Sequence, residues 1–230
     1  MKPKKGLIAA LYVPSATEAR RLARLLAGTT GLFKIGSELF TAEGPQAVEA
    51  VVAEGGSVFL DLKYHDIPNT VAAAVREAAQ LGAFMINVHA LGGIRMMEEA
   101  RKAVEKSRNR PYLIAVTVLT SMKEEDLAAI GVPKKPTEAV LGLAKLANDA
   151  GLDGVVCSGE EARMIRRSLG KDFLIVTPGI RPAWAAVGDQ ARVTTPAEAF
   201  QNGADFIVVG RPITQAKDPV EAARRVLSEI

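Results

Sequence analysis

Eight short apolar runs recur along the chain, and this alternation constrains the fold more than any other feature. The runs are "GLIAALY" (6–12), "LFKIG" (32–36), "SVFLDLK" (57–63), "AFMINVH" (83–89), "YLIAVTV" (112–118), "GVVC" (154–157), "FLIVTP" (173–178) and "DFIVVG" (205–210). Between them lie amphipathic stretches such as "SATEARRLARLLAG", "GPQAVEAVVAEGG", "TVAAAVREAAQLGA" and "TEAVLGLAKLANDAGL". Each has apolar residues at helical spacing and a glycine near its end as a stop signal. Continuously apolar strands separated by helices imply a parallel sheet covered by helices, because each crossover must return the next strand in the same direction. Eight such units in 230 residues predict an α/β chain folded as one (β/α)8 TIM barrel domain over residues 1–230. An open doubly wound sheet is the competing arrangement.

The remaining composition excludes several classes of function. No apolar run reaches the roughly 18 residues of a membrane span, and the basic start "MKPKKG" does not lead into a secretory core, so a cytoplasmic protein is expected. One cysteine, Cys157, and two histidines give no disulfide and no metal-ligand spacing. Net charge is +3, and the densest basic stretch, "RKAVEKSRNR" (101–110), is interleaved with glutamate and lacks aromatics. That pattern is a solvated helix face, not a nucleic-acid site.

A barrel of this kind builds its active site at the carboxyl ends of the strands. The third run ends "VFLDLKYHDIPNT" (58–70), which puts Asp61, Lys63 and Asp66 at that mouth. Asp61 and Lys63 are two apart, so strand alternation predicts that they share a face. Taken alone, three such charges fit a structural ion-pair network as readily as a catalytic site.

The complete stretch resembles the Asp-x-Lys-x-x-Asp-Ile-Pro-x-Thr signature of the orotidine 5'-phosphate decarboxylase family. Further similar segments follow in order: "FKIGSELF", "AVTVLTSM", "TPGIRP", "GDQARVTTP" and "VVGRPIT". The resemblance implies cofactor-free decarboxylation of orotidine 5'-monophosphate to uridine 5'-monophosphate by a homodimer with shared sites. It further implies that Asp61 sits beside the substrate carboxylate, that Lys63 protonates the carbon losing it, and that Asp66 comes from the neighbouring subunit. By the same resemblance Lys34 completes the charged array, Ile67 and Thr70 cross the dimer interface, and Thr120 or Ser121 meets the pyrimidine.

The phosphate end has its own signals. "TPGIRP" and "VVGRPIT" each place a glycine and an arginine after strands seven and eight, where barrels commonly bind phosphate. Gly179 and Gly210 let backbone amides approach, and Arg181 and Arg211 add charge in a planar fork. Gln190 matches the family's phosphate-contacting glutamine, and "RPAWAAVGDQ" reads as a lid between Arg181 and Gln190. His65 and His89 lack triad partners and read as strand-end polar groups. Cys157 reads as packing, and Trp184 either packs under the lid or covers the surface.

One position departs from the family. Where its first strand ends "ALD", with an aspartate that binds the ribose, this chain reads "ALY" and Tyr12 takes the place. Losing a charge-assisted hydrogen bond costs about 1.5–3 kcal/mol, or roughly 10- to 200-fold in transition-state binding. The expectation is therefore an impaired decarboxylase. The alternatives are a silenced barrel serving as a scaffold, or a related sugar-phosphate enzyme such as a hexulose-phosphate synthase or keto-gulonate-phosphate decarboxylase.

Overall fold

The computed structural model describes residues 6–185 and 194–230. Its eight strands are β1 (Gly6–Ala10), β2 (Leu32–Gly36), β3 (Ser57–Tyr64), β4 (Met85–His89), β5 (Tyr112–Val116), β6 (Gly154–Val156), β7 (Leu174–Thr177) and β8 (Phe206–Val209). All pair in parallel and in chain order, and β8 closes on β1. The eight predicted runs are the eight strands, so the closed barrel displaces the open sheet.

The helices between them are α1 (Ala16–Leu26), α2 (Ser37–Glu43), α3 (Gln46–Val52), α4 (Pro68–Gln80), α5 (Gly93–Glu105), α6 (Glu124–Ala129), α7 (Pro136–Asp149), α8 (Gly159–Leu169), α9 (Pro196–Gln201), α10 (Arg211–Thr214) and α11 (Pro219–Ser228). Several starts are written in the sequence. Ser15 caps α1 through the Glu18 N–H, and Thr195 forms a reciprocal box with Glu198 at α9. Among the described residues no helix is long and apolar enough to cross a membrane.

Strand alternation divides the apolar residues between two cores. Ile8, Ala10, Phe59, Met85, Ile114, Val176 and Val208 fill the barrel interior. Ala9, Phe33, Ile35, Leu60, Ile86 and Ile207 face outward and pack under the helices. Lys34 lies between outward-facing Phe33 and Ile35 and is in register with Ala10 and Phe59, so it points into the barrel. There it is 5% exposed.

Two carboxylates, the part-buried Asp153 and the fully buried Asp205, tie the amino-terminal ends of the strands together. Asp153, just before β6, takes Arg110 at 2.7 Å, Arg101 at 3.1 Å and the Leu113 N–H of β5. Asp205, just before β8, takes Arg166 of α8 at 2.6 Å and the Ile175 N–H of β7. Each joins a helix or loop to a neighbouring strand at the end of the barrel opposite the expected chemistry.

The third strand is not regular. It pairs with β4 as Phe59 to Met85 and Leu60 to Ile86, then resumes only at Tyr64 to Val88. Three residues of β3 therefore face the single residue Asn87, a bulge. Within it Lys63 has φ +53°, the only non-glycine residue with positive φ among those described.

Candidate active site

A cavity of about 660 Å³ opens at the carboxyl ends of the strands, a size suited to a small-molecule ligand. Asp61 lies at its floor, 8% exposed, on the interior face of β3. Lys34 Nζ approaches Asp61 Oδ2 at 3.0 Å, and Lys63 Nζ approaches Oδ1 at 2.7 Å. Asn87 Nδ2 donates to the same Oδ1 at 2.6 Å. Both carboxylate oxygens are thus engaged. Gly36, opposite Asp61 on β2, leaves room for the lysine, since a Cβ there would lie 3.1 Å from Lys34 Nζ.

Electrostatics fix the charge of this cluster. Burial favours a neutral Asp61, but Lys34, Lys63 and the Asn87 amide overcome it and hold the carboxyl below its ordinary range. Burial likewise pulls Lys34 down, yet Asp61 and Tyr12 outweigh it and raise the ammonium above its ordinary range. The result is a preorganised alternation of cation, anion and cation. Lys34 is sealed at 7% side-chain exposure, whereas the Lys63 side chain is 37% exposed and open to solvent.

Strand alternation gave the right outcome for Lys63 by the wrong route. The ladder is broken between Leu60 and Tyr64, and Lys63 reaches Asp61 from a left-handed backbone.

The cavity wall also carries Thr120, Ser121, Gly179, Arg181, Gly210 and Arg211, all expected from the sequence. Gly179 has φ +73°, a conformation in which a side chain is disfavoured. Gly210 has a further role that its expected one did not include: a Cβ there would fall 2.6 Å from Tyr12 Cε2, so the missing side chain makes space for the Tyr12 ring. Tyr12 itself lines the cavity at 51% exposure, with its ring centroid 4.8 Å from Lys34 Nζ. Gln190 and the later part of the lid segment lie outside the described residues. Its earlier part is described, and there Trp184 packs against the helix-side core with Arg225 of α11 over its ring at 4.3 Å.

Asp66, Ile67 and Thr70 do not line this cavity. They are exposed where α4 begins, Ile67 at 67%, and Asp66 Oδ1 accepts the Ile67 N–H at 2.6 Å. His65 and His89 stack with ring centroids 5.5 Å apart, and His89 Nδ1 accepts the Leu91 N–H, the strand-end contact expected. Cys157 is buried in the helix-side core. Glu38 and Gln215 line the cavity without having been anticipated. Among the described residues no three His, Cys, Asp or Glu side chains gather as a metal site.

The family model described as Orotidine 5'-phosphate decarboxylase / HUMPS family matches residues 5–226. The chain belongs to this family. Similar relatives include the orotidine 5'-phosphate decarboxylase of Hydrogenovibrio crunogenus, 52% identical over 100% of this chain and 98% of that protein. That of Alkalilimnicola ehrlichii is 55% identical over 97% of this chain and 95% of its own length. Among solved structures, orotidine 5'-phosphate decarboxylase from Lactobacillus acidophilus superposes with a TM-score of 0.84 at 37% identity, covering 98% of each chain. As an orotidine 5'-phosphate decarboxylase / HUMPS family member, the chain keeps its family's barrel along essentially its whole length.

Proposed function

We propose that this chain decarboxylates orotidine 5'-monophosphate to uridine 5'-monophosphate, the last step of pyrimidine nucleotide synthesis, as one barrel domain over residues 1–230. The observation that carries this reading is the array of Lys34, Asp61 and Lys63 at the floor of a cavity whose wall at β7 and β8 bears Arg181 and Arg211. Four basic side chains there face two carboxylates, Asp61 and Glu38, a balance suited to an anionic nucleotide.

The chemistry follows from the geometry. When the bond to the carboxylate breaks, carbon dioxide leaves without the electron pair, which stays on the pyrimidine carbon. A fixed ammonium beside that carbon stabilises the developing charge more than it stabilises the substrate. Lys63 then gives its proton to the carbon, and its part-exposed side chain takes another from water. Lys34 is sealed from solvent and serves to hold Asp61 ionised. Asp61 in turn fixes Lys63, and its repulsion of the substrate carboxylate is a secondary contribution. The bond cleavage and the single proton balance the reaction, so no cofactor is required.

Arg181, Arg211 and Gln190 are assigned to the phosphate, and Thr120 and Ser121 to the pyrimidine. Binding energy gathered at the phosphate can assist chemistry at the ring. Asp66, Ile67 and Thr70 are exposed and absent from the cavity of their own chain, which supports their service to the neighbouring subunit of a homodimer. A cytoplasmic location belongs to the same proposal.

The sugar-phosphate alternative, whose enzymes generally use magnesium, fits less well. An ion at Asp61 would have to displace Lys34, Lys63 or Asn87 from a carboxylate that they already occupy. Tyr12 is the observation that favours a weakened enzyme, because its ring fills the space between Lys34 and Gly210. The deciding experiment follows the ultraviolet absorbance of orotidine 5'-monophosphate at high enzyme concentration without added metal, beside the Tyr12→Asp variant. Turnover in either establishes the decarboxylase frame. Silence in both overturns it in favour of the scaffold or sugar-phosphate reading.

A further inference from the structure

Asn87 sits in the middle of β4, fully buried and outside the cavity lining. Its side chain makes two bonds to β3: Nδ2 donates to Asp61 Oδ1 at 2.6 Å, and Oδ1 accepts the Lys63 backbone N–H at 2.8 Å. Chemistry permits only this orientation of the amide. An ionised carboxylate can only accept and a backbone N–H can only donate, so the two ends of Asn87 cannot exchange.

The bulge explains why such a residue is needed. Asp61, Leu62 and Lys63 face one residue of β4, so the Lys63 N–H has no backbone partner in the β3–β4 ladder. A lysine at φ +53° is an unfavourable conformation that persists only where its surroundings impose it. Asn87 supplies the missing acceptor with one end and fixes the carboxylate that receives the Lys63 ammonium with the other.

We infer that Asn87 is a positioning residue: it holds the Lys63 backbone in its left-handed conformation and orients Asp61, so that the Lys63 ammonium is delivered to one place at the cavity floor. This rests on Lys63 being the proton donor of the proposed decarboxylation. Asn87 touches no substrate in this account and acts through the two charged residues.

The test uses the full-length protein, with Asn87→Ala and Asn87→Asp compared against the unaltered chain, all in the Tyr12→Asp background if native turnover is too slow to resolve. Asn87→Ala should lower kcat by about 100-fold, as expected for a misplaced reacting group, while KM stays within about threefold. Asn87→Asp gives a sharper signature. A protonated carboxyl at position 87 still donates to Asp61 and accepts from Lys63, but an ionised one repels Asp61. Its kcat should therefore be largest at low pH and fall as pH rises, along a limb that the asparagine enzyme lacks.

A second readout does not depend on turnover. Exchange of the Lys63 amide proton, followed by nuclear magnetic resonance, should speed up in Asn87→Ala by at least about tenfold relative to the β2 and β5 amides. Unchanged kcat in Asn87→Ala, or uniformly faster exchange throughout the barrel, would overturn the inference. If no variant decarboxylates orotidine 5'-monophosphate, the functional proposal fails by itself, and the exchange measurement still decides whether Asn87 holds Lys63.

Discussion

The ammonium of Lys34 lies 4.8 Å from the centroid of the Tyr12 ring, so the base of the charged array meets an aromatic face at the mouth of β1. Replacing that ring by a short carboxylate would open the cavity wall beside Gly210 and offer a charged acceptor to a ligand hydroxyl. Tyr12→Asp should raise kcat/KM for orotidine 5'-monophosphate by roughly 10- to 200-fold, the equivalent of about 1.5–3 kcal/mol. Initial rates at subsaturating substrate check this. An unchanged or lower value would mean that Tyr12 is not the source of any defect.

Lys63→Met removes the proposed proton donor but leaves the phosphate end intact. Turnover should fall by roughly 10²- to 10⁴-fold, the range for loss of a positioned acid, and calorimetric affinity for uridine 5'-monophosphate should change far less. Equal losses in both would assign Lys63 to binding instead.

Asp61→Ala leaves Lys34 buried without its anion. Loss of one partner of a buried pair costs about 3–5 kcal/mol, which a urea titration at neutral pH would resolve. The pH dependence should also reverse. In the native chain Lys34 has a raised pKa, so its contribution is present below the unfolded value of about 10.4 and is lost as pH climbs through the folded one. In the variant burial prevails and Lys34 falls below its unfolded value, so stability should increase as pH rises.

His89 has the opposite sign from native Lys34. Burial, then the neighbouring His65 and Lys63, lower its pKa, so the folded chain holds it neutral and the unfolded chain binds its proton more readily. Stability from this group is present above about pH 6.5 and declines as pH falls through that value towards the folded one. His89→Gln should flatten the change in urea midpoint between pH 7 and 5. A slope as steep as the native one would exonerate His89.

Asp66 and Lys63 should complement each other across subunits. Lys63→Ala and Asp66→Ala chains, each nearly inactive, would form mixed dimers after co-refolding in which one of two sites has both groups. Random mixing should restore about a quarter of the native sites. No recovery would place Asp66 in its own chain's site or outside the chemistry.

The barrel was legible because its signal is a repeated alternation of whole elements, and β2 occupies the predicted residues 32–36 without adjustment. Asp61 was legible as a charge at the mouth of its strand and Lys34 through the resemblance, and the observed alternation through "FKI" and "FLD" points both inward. The conformation of Lys63 was not. Nothing in "DLKY" announces a left-handed residue, because lysine has no preference for it, and the constraint comes from Asn87 across the sheet. A faint signal did exist in "MINVH", where a polar side chain in a buried strand must find partners. The Tyr12–Gly210 contact was illegible for a different reason: it joins the first strand to the last, and sequence reading gave Gly210 to the phosphate alone.

The acid-centred ties at Asp153 and Asp205 lie at the far end of the strands from Asp61. This separation has an evolutionary consequence. Neither tie involves Tyr12, so the residues that fasten one end of the barrel and the side chain that reshapes its mouth at the other can be altered separately. A lineage can exchange an aspartate for a tyrosine at the mouth, lose or change a reaction, and still inherit an intact fold on which another chemistry can be selected.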